Sequence, residues 1–521
     1  MLHVDSELKQ KLIDPLFTPL NRGFKLSAGV LLALIAWGAF MYFRQIFLGL
    51  GVTGMGRPVY WSLYLVDFIF FIGISHAGTL ISAILRVTGA EWRRPITRIA
   101  EAITTFALIV GSLQILIDMG RIDRLLFTFT FGRLQSPIMW DIISVTLYLL
   151  GSMTYLYLPL MADIAIIRDN LPEDVPAWRR KFYTILALGW TGTKEQWVRL
   201  EKAIAFMAVF IIPVAISVHS IISWIFATTL QPGWQSTVFG PYFVIGAIFS
   251  GIGALFIAMT AMRKILGLEK YIALKQYRNL GFIFITMNAI WFYFTFTETL
   301  GLVAGQQTYE MPILAVKLWG AFAPSFWLMI ACMAVAFYIL VVPLILKKQS
   351  DEERAFIFQP RFSQGTAIVA VVLAVLLFVP SILNASIPIL TALWILLALD
   401  GFAFLMSVSQ WFKANPVTST VIASAFVVVG MWLERWNIII PTVTHPMLVP
   451  YATYTPSLTE ISIAVASMAG FIFMFLVFFK LFPAISIWEL AEGRVLEEAQ
   501  SKIVMPMPEA NLTGVRRLKI K

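Results

Sequence analysis

Two aspartates stand where a carboxylate must do chemistry or be expensive. Asp118 closes one apolar run, Asp141 opens the next, and LIDMGR…SPIMWD joins them. An Asp at the centre of a bilayer costs roughly 2.5–3.5 kcal/mol on insertion scales and less near the interface. Such a residue needs a partner, a proton or a water-filled pocket. A carboxyl held among apolar groups is suited to take and release protons near neutral pH. Gln114 lies one turn before Asp118 and shares its face; Ser144 and Tyr148 share the face of Asp141. The plainer alternative is a pair of helix-end charges meeting lipid headgroups, Arg121 or Arg133.

Histidines supply the other candidate proton carriers. His219, in SVHSIISW, has Ser223 one turn on. It reads as a proton acceptor, a heme ligand, or a core residue on a backbone carbonyl. His76, in GISHAGTL, sits among small residues that let a neighbouring helix approach. It reads as a packing residue or, with Thr79, Ser82 and Glu101, as a proton route. The chain has 4 histidines, and a bis-histidine heme would need His76 and His219, which read as lying at different depths. A cytochrome b is therefore not expected, and a single cysteine, Cys332, offers no cluster ligation. Glu434–Arg435, in GMWLERWN, is either an interfacial anchor between belt tryptophans or an Arg closing a polar pocket. Glu298 reads as a residue near the end of its span that meets solvent. No phosphate-loop or dinucleotide fingerprint is present.

The elements that must position these groups are membrane helices. Of 521 residues, 59% are hydrophobic and 13% charged, with mean hydropathy +0.82. Continuous apolar runs recur, which argues for an all-α polytopic bundle and against a β-barrel. About twelve spans are expected, at 24–48, 61–85, 101–119, 138–162, 203–228, 239–262, 279–303, 313–346, 365–384, 387–410, 417–437 and 458–482. The ninth and tenth are two full spans or one re-entrant hairpin. The net charge of +10 collects in alternate loops, which places both termini in the cytoplasm and Asp118, Asp141, His219, Glu298 and Glu434 toward the outer face. In a chain of this kind the positive charge meets lipid, not nucleic acid. The start lacks a cleavable signal pattern, so the first run is expected to be retained.

Several stretches together resemble a known family: WSLYLVDFIFFIGISHAGTLISAILR, WRRPITRIAEAIT, SPIMWD, SVHSIISW, PGWQSTVFGPYFVIGAIFSG, GMWLER and LFPAISIWEL. They resemble the NrfD/polysulfide reductase integral membrane subunits, and within these the ActC subunit of alternative complex III. The resemblance covers roughly 24–346 and 417–490. It implies two four-helix bundles with additional helices, and a quinol/quinone-binding subunit that holds no heme or iron–sulfur cluster of its own. Electrons would be exchanged with an extracytoplasmic iron–sulfur subunit, among further membrane subunits and a multiheme cytochrome c candidate. The setting would be a respiratory or photosynthetic complex of a bacterial or archaeal cytoplasmic membrane. The ActC-like pocket has a His where this chain has Asp118, an Asp matching Asp141, and an acid where this chain has Ile225; His219 is the candidate to compensate.

The domain reading is a cytoplasmic tail (1–23), an eight-helix core (24–346), an inserted segment of two extra helices unlike a typical ActC (347–416), two last helices (417–482) and a cytoplasmic tail (483–521). Asp118, Asp141 and His219 are expected to carry the chemistry on menaquinol or ubiquinol. Gln114, Tyr148 and Arg435 would join them around the headgroup. His76, Thr79, Ser82 and Glu101 would carry protons, so that proton translocation accompanies electron transport. A secondary transporter, or a membrane anchor without a quinone site, are the rival readings.

Overall fold

A computed structural model describes residues 8–345, 369 and 408–492. Among the described residues there are ten helices long and apolar enough to cross a membrane, and the protein is an all-α, multi-pass integral membrane protein. The helices are α1 (Arg22–Leu48), α2 (Leu63–Val87), α3 (Arg94–Asp118), α4 (Pro137–Asp169), α5 (Lys194–Ala227), α6 (Phe239–Ile265), α7 (Leu274–Gly305), α8 (Ala323–Ile345), α9 (Pro416–Thr444) and α10 (Leu458–Leu481). The expected ninth and tenth spans lie outside the described residues.

Local chemistry starts several of these helices. Asn21 caps α1 by accepting from Phe24 N at 2.7 Å. Thr193 with Gln196, and Ser457 with Glu460, form reciprocal capping boxes on α5 and α10. Proline in the first turn opens α3, α4 and α9, where its missing N–H costs nothing.

Packing divides the helices into two four-membered rings. Helices α2, α3, α4 and α5 each touch the next and close on themselves; α6, α7, α8 and α9 do the same. Contacts of α2 with α6 and α9, and of α5 with α6, join the bundles. Helices α1 and α10 pair with each other, and α10 lies along α3 and α2. This is the expected arrangement of two bundles with additional helices, and α2 is its hub. The hub depends on Gly78: a Cβ there would stand 1.8 Å from Ala100 O and 2.1 Å from Thr104 Oγ1 on α3. Gly78→Ala is therefore expected to push α2 from α3 at a cost of about 1–3 kcal/mol, read as a lower thermal midpoint of the solubilised protein; an unchanged midpoint would mean that the contact yields freely.

Several helix ends differ from the sequence expectation for one reason: hydropathy trims charged turns that the fold in fact buries. Helix α3 begins at Arg94 rather than 101, so Arg94 and Arg98 are helical and buried, not in a loop. Arg98 Nη2 meets Asp163 Oδ2 at 2.8 Å with both side chains inaccessible, and Asp163 Oδ1 accepts from Ile487 N and Trp488 N. Residues 483–492 are thereby docked under the first bundle, and Glu489 pairs with Arg86 and Arg93. Helix α9 runs seven residues past 437, through Pro441, so Glu434–Arg435 sit inside it with about 1% exposure each. The interfacial-anchor reading of that pair is corrected. The stretch 313–346 is two helices, Met311–Leu318 and α8, divided by a turn at Gly320.

Candidate functional site

The junction of the two bundles gathers the buried ionisable groups. His76 (α2) and His219 (α5) are both fully buried, and their ring centroids are 3.8 Å apart. The sequence reading placed them at different depths, and this is corrected. His76 lies about 20 Å from the start of α2 and His219 about 12 Å from the end of α5 at 1.5 Å per residue. The two helix ends are simply not level, and a sequence does not record such an offset.

The partners of the two rings differ. His76 Nδ1 lies 2.9 Å from Ile72 O and Nε2 2.5 Å from Ala215 O. Both nitrogens thus face acceptors, and a neutral imidazole can donate to one of them while an imidazolium donates to both. Neither ring nitrogen of His219 has a hydrogen-bond partner among the described residues. Ser223, one turn on, donates to Ser220 O instead of to the ring. Tyr148 OH donates to Ser75 O at 3.1 Å and its ring stands 5.1 Å from that of His76.

The α6–α9 side of the junction supplies a fixed charge pair. Arg435 is ion-paired with Glu434, and Glu434 Oε1 accepts from Trp291 Nε1 at 2.5 Å. Arg435 Cζ lies 5.1 Å from the Phe243 ring centroid, a cation–π contact. Its Nη2 has no hydrogen-bond partner among the described residues and faces Gly246 and Gly73, where a Cβ would stand 3.0 and 3.7 Å away. The absence of side chains at those two positions lets the guanidinium reach between α6 and α2. Both histidines lie within its field.

The two aspartates flank the α3–α4 connection, and each has a buried Oδ1 without a hydrogen-bond partner among the described residues. They look different ways. Gln114 donates to Ser467 Oγ on α10 at 2.6 Å, and Asp118, on the same face, interacts electrostatically with Glu460 of α10 and Tyr64 of α2. Tyr64 is hydrogen-bonded to Gln45 at 2.6 Å, and Gln45 to Ile117 O at 3.0 Å. Asp141 instead heads the α4 face that continues through Ser144 to Tyr148 and so to the histidine pair. Tyr148 and Arg435 thus converge with His76 and His219, while Gln114 and Asp118 turn toward α1 and α10.

Of the expected proton carriers, Ser82 Oγ donates to Glu101 Oε1 at 2.9 Å and lies 3.4 Å from Tyr155 OH. Thr104 Oγ1 donates to Ser75 O at 2.7 Å, next to His76. The side chain of Thr79 lies outside the described residues. Sequence reasoning missed Trp291, Tyr242 and Lys317. Lys317 carried a usable signal, being a lysine within an apolar run.

The fold and site define a two-bundle, all-helical membrane protein that holds acids and histidines at the junction of its bundles. The polysulphide reductase NrfD family matches residues 51–379, and the chain belongs to that family. It is 32% identical over 245 residues to a protein of Halobacterium salinarum named as the C membrane component of a dimethyl sulfoxide reductase, covering 46% of this chain and 52% of that one. It is 23% identical over 235 residues to the C component of the selenate reductase of Mesobacillus selenatarsenatis, covering 44% and 54%. Against the Hdr-like menaquinol oxidoreductase integral membrane subunit of Archaeoglobus fulgidus it is 23% identical over 319 residues, covering 60% and 69%. The chain spans about half the length of the first two relatives. By their names these relatives are membrane components of a dimethyl sulfoxide reductase, a selenate reductase and a menaquinol oxidoreductase.

Proposed function

We propose that this chain binds quinol or quinone for a multisubunit electron-transfer complex and exchanges electrons with an iron–sulfur subunit on the outer face, as in alternative complex III or another NrfD-containing assembly. One observation carries the reading. The three groups that the sequence singles out for a headgroup, Asp118, Asp141 and His219, each hold buried polar atoms that no described protein group satisfies. Buried polar atoms are nearly always partnered, so these await a ligand or water. The name of the Archaeoglobus relative, a menaquinol oxidoreductase subunit, supports the same class.

A quinol bound there would supply an electron pair and the matching protons. The chain's own groups hold and move those protons. Asp141, at the head of the α4 face, accepts at its free Oδ1; Asp118, on the face toward α10, stands outside that route. His219 donates through a ring nitrogen. Arg435, held by Glu434 and stacked on Phe243, sets a positive field that favours an anionic oxygen nearby. Tyr148 and Gln114 already bond to protein and position the faces they share. From the histidine pair, Ser75, Thr104, Glu101 and Ser82 lead through the first bundle toward Arg86 and Glu489, at the end read as cytoplasmic.

Extraction of the purified complex tests the reading: a quinone is expected to accompany this subunit and to be lost on His219→Leu. A complex that retains full quinone content in that variant would contradict it. The proton route is tested by His76→Leu in the reconstituted complex. The number of protons moved per electron pair is expected to fall, and a ratio equal to wild type would remove His76 from the route.

A further inference from the structure

The second bundle contains a small cavity, walled in part by polar and charged groups, that the quinone reading does not use. It is lined by Tyr242 of α6, Thr295 and Glu298 of α7, Lys317 of the Met311–Leu318 helix, and Glu434 and Asn437 of α9. The cavity's volume is about 30 Å³, room for a water or two beside these polar groups, and Leu302, Leu314, Leu318, Phe326, Met329 and Ile438 are among the residues that complete its wall. Direct bonds within it are few. Tyr242 OH and Thr295 Oγ1 are 3.2 Å apart, and Asn437 Oδ1 accepts from Ser325 at 2.7 Å. Glu298 and Lys317 sense each other's charge but form no direct ion pair among the described residues. A purely structural acid–base pair in an apolar bundle gains most by closing into contact, with hydrogen bonds that satisfy both charges. Holding an acid and a base apart around a polar space instead leaves room for water to join them.

The cavity also has a back wall with a connection. Glu434 lines it on one side, and on the other is fixed by Arg435, whose field reaches His76 and His219. The Glu101–Ser82 route lies in the other bundle, across α2.

We propose that Glu298 and Lys317 form a second protonic site of this subunit: a hydrated acid–base pair that exchanges protons with the α3–α4 side of the membrane and, through water, Tyr242 and Glu434, with the histidine pair. Each hop breaks one O–H or N–H bond and forms another, and no electron moves. Arg435 keeps its proton throughout and acts by holding Glu434. The second bundle thus gives the junction an exit on the outer side, and the first bundle gives it an entry from the cytoplasmic side.

This proposal rests on the quinol-linked reading, and one experiment separates the two. The whole purified complex is reconstituted in liposomes with an impermeant pH dye, and quinol turnover and protons moved per electron pair are recorded together for Glu298→Gln and Lys317→Met. Turnover is expected to stay within about twofold of wild type while the proton ratio drops in both variants. An unchanged ratio at normal turnover overturns the protonic site and leaves the quinone reading intact. Loss of turnover in both variants also overturns it, because the cavity would then serve the redox site. Infrared difference spectra of the same samples guard against a folding defect. A deuterium-sensitive carboxyl band is expected in wild type, absent in Glu298→Gln and displaced in Lys317→Met; a band that persists in Glu298→Gln overturns the assignment.

Discussion

Asp141→Asn is expected to lower quinol turnover by about 10²–10⁴-fold, the usual worth of a positioned proton acceptor, with the complex still assembled. The substitution keeps shape and volume but removes the group that can take a proton. Asp141 forms no ion pair among the described residues, and the bond that Ser144 Oγ makes to its backbone carbonyl, at 3.0 Å, survives the change. An amide is also cheaper than a carboxylate in hydrocarbon, so helix α4 is not weakened. The two readouts are steady-state oxidation of a soluble quinol analogue and native-gel migration of the complex. Wild-type turnover in this variant would take Asp141 out of the chemistry.

Arg435→Met is expected to be the most destabilising single change at the junction, by about 3–5 kcal/mol, because it leaves the Glu434 carboxylate buried without its counter-charge. Both side chains are about 1% exposed, and beyond Arg435 the carboxylate has the indole N–H of Trp291. Adding Glu434→Gln to Arg435→Met should recover much of the loss, since the unpaired charge is then gone. Thermal midpoints of the solubilised protein for the two single variants and the double variant close the cycle. A double variant destabilised by the sum of the two single losses would show that the partners are independent and would contradict the pairing.

The residue pattern made much of this legible, and the failures have physical causes. Continuous apolar runs gave the helices, and the small residues flanking His76 marked the close α2–α3 contact that Gly78 makes possible. Buried acids announced themselves because a carboxylate is conspicuous in hydrocarbon. What a sequence records poorly is the relative height of two helices, which hid the contact between His76 and His219. Hydropathy likewise treats charge as a boundary. It therefore cut α3 short before Arg98 and α9 short after Glu434, where the fold supplies Asp163 and Arg435 as partners. Lys317 was lost for the opposite reason: an unbroken apolar reading ran across the turn at Gly320 and absorbed it into one long span. The candidate headgroup residues show the same pattern. Spacing put Gln114 with Asp118 and Tyr148 with Asp141 on shared faces, but could not show that the first face turns toward α10 and the second toward His76 of α2.

Photoaffinity labelling with an azidoquinone tests the central claim most directly. In the intact complex, labelled peptides are expected to fall within this subunit, in the 111–148 stretch and around His219. The label should be suppressed by excess quinol and lost in His219→Leu. Labelling confined to another subunit, or labelling here that excess quinol does not suppress, would contradict the assignment of a quinone site to this chain.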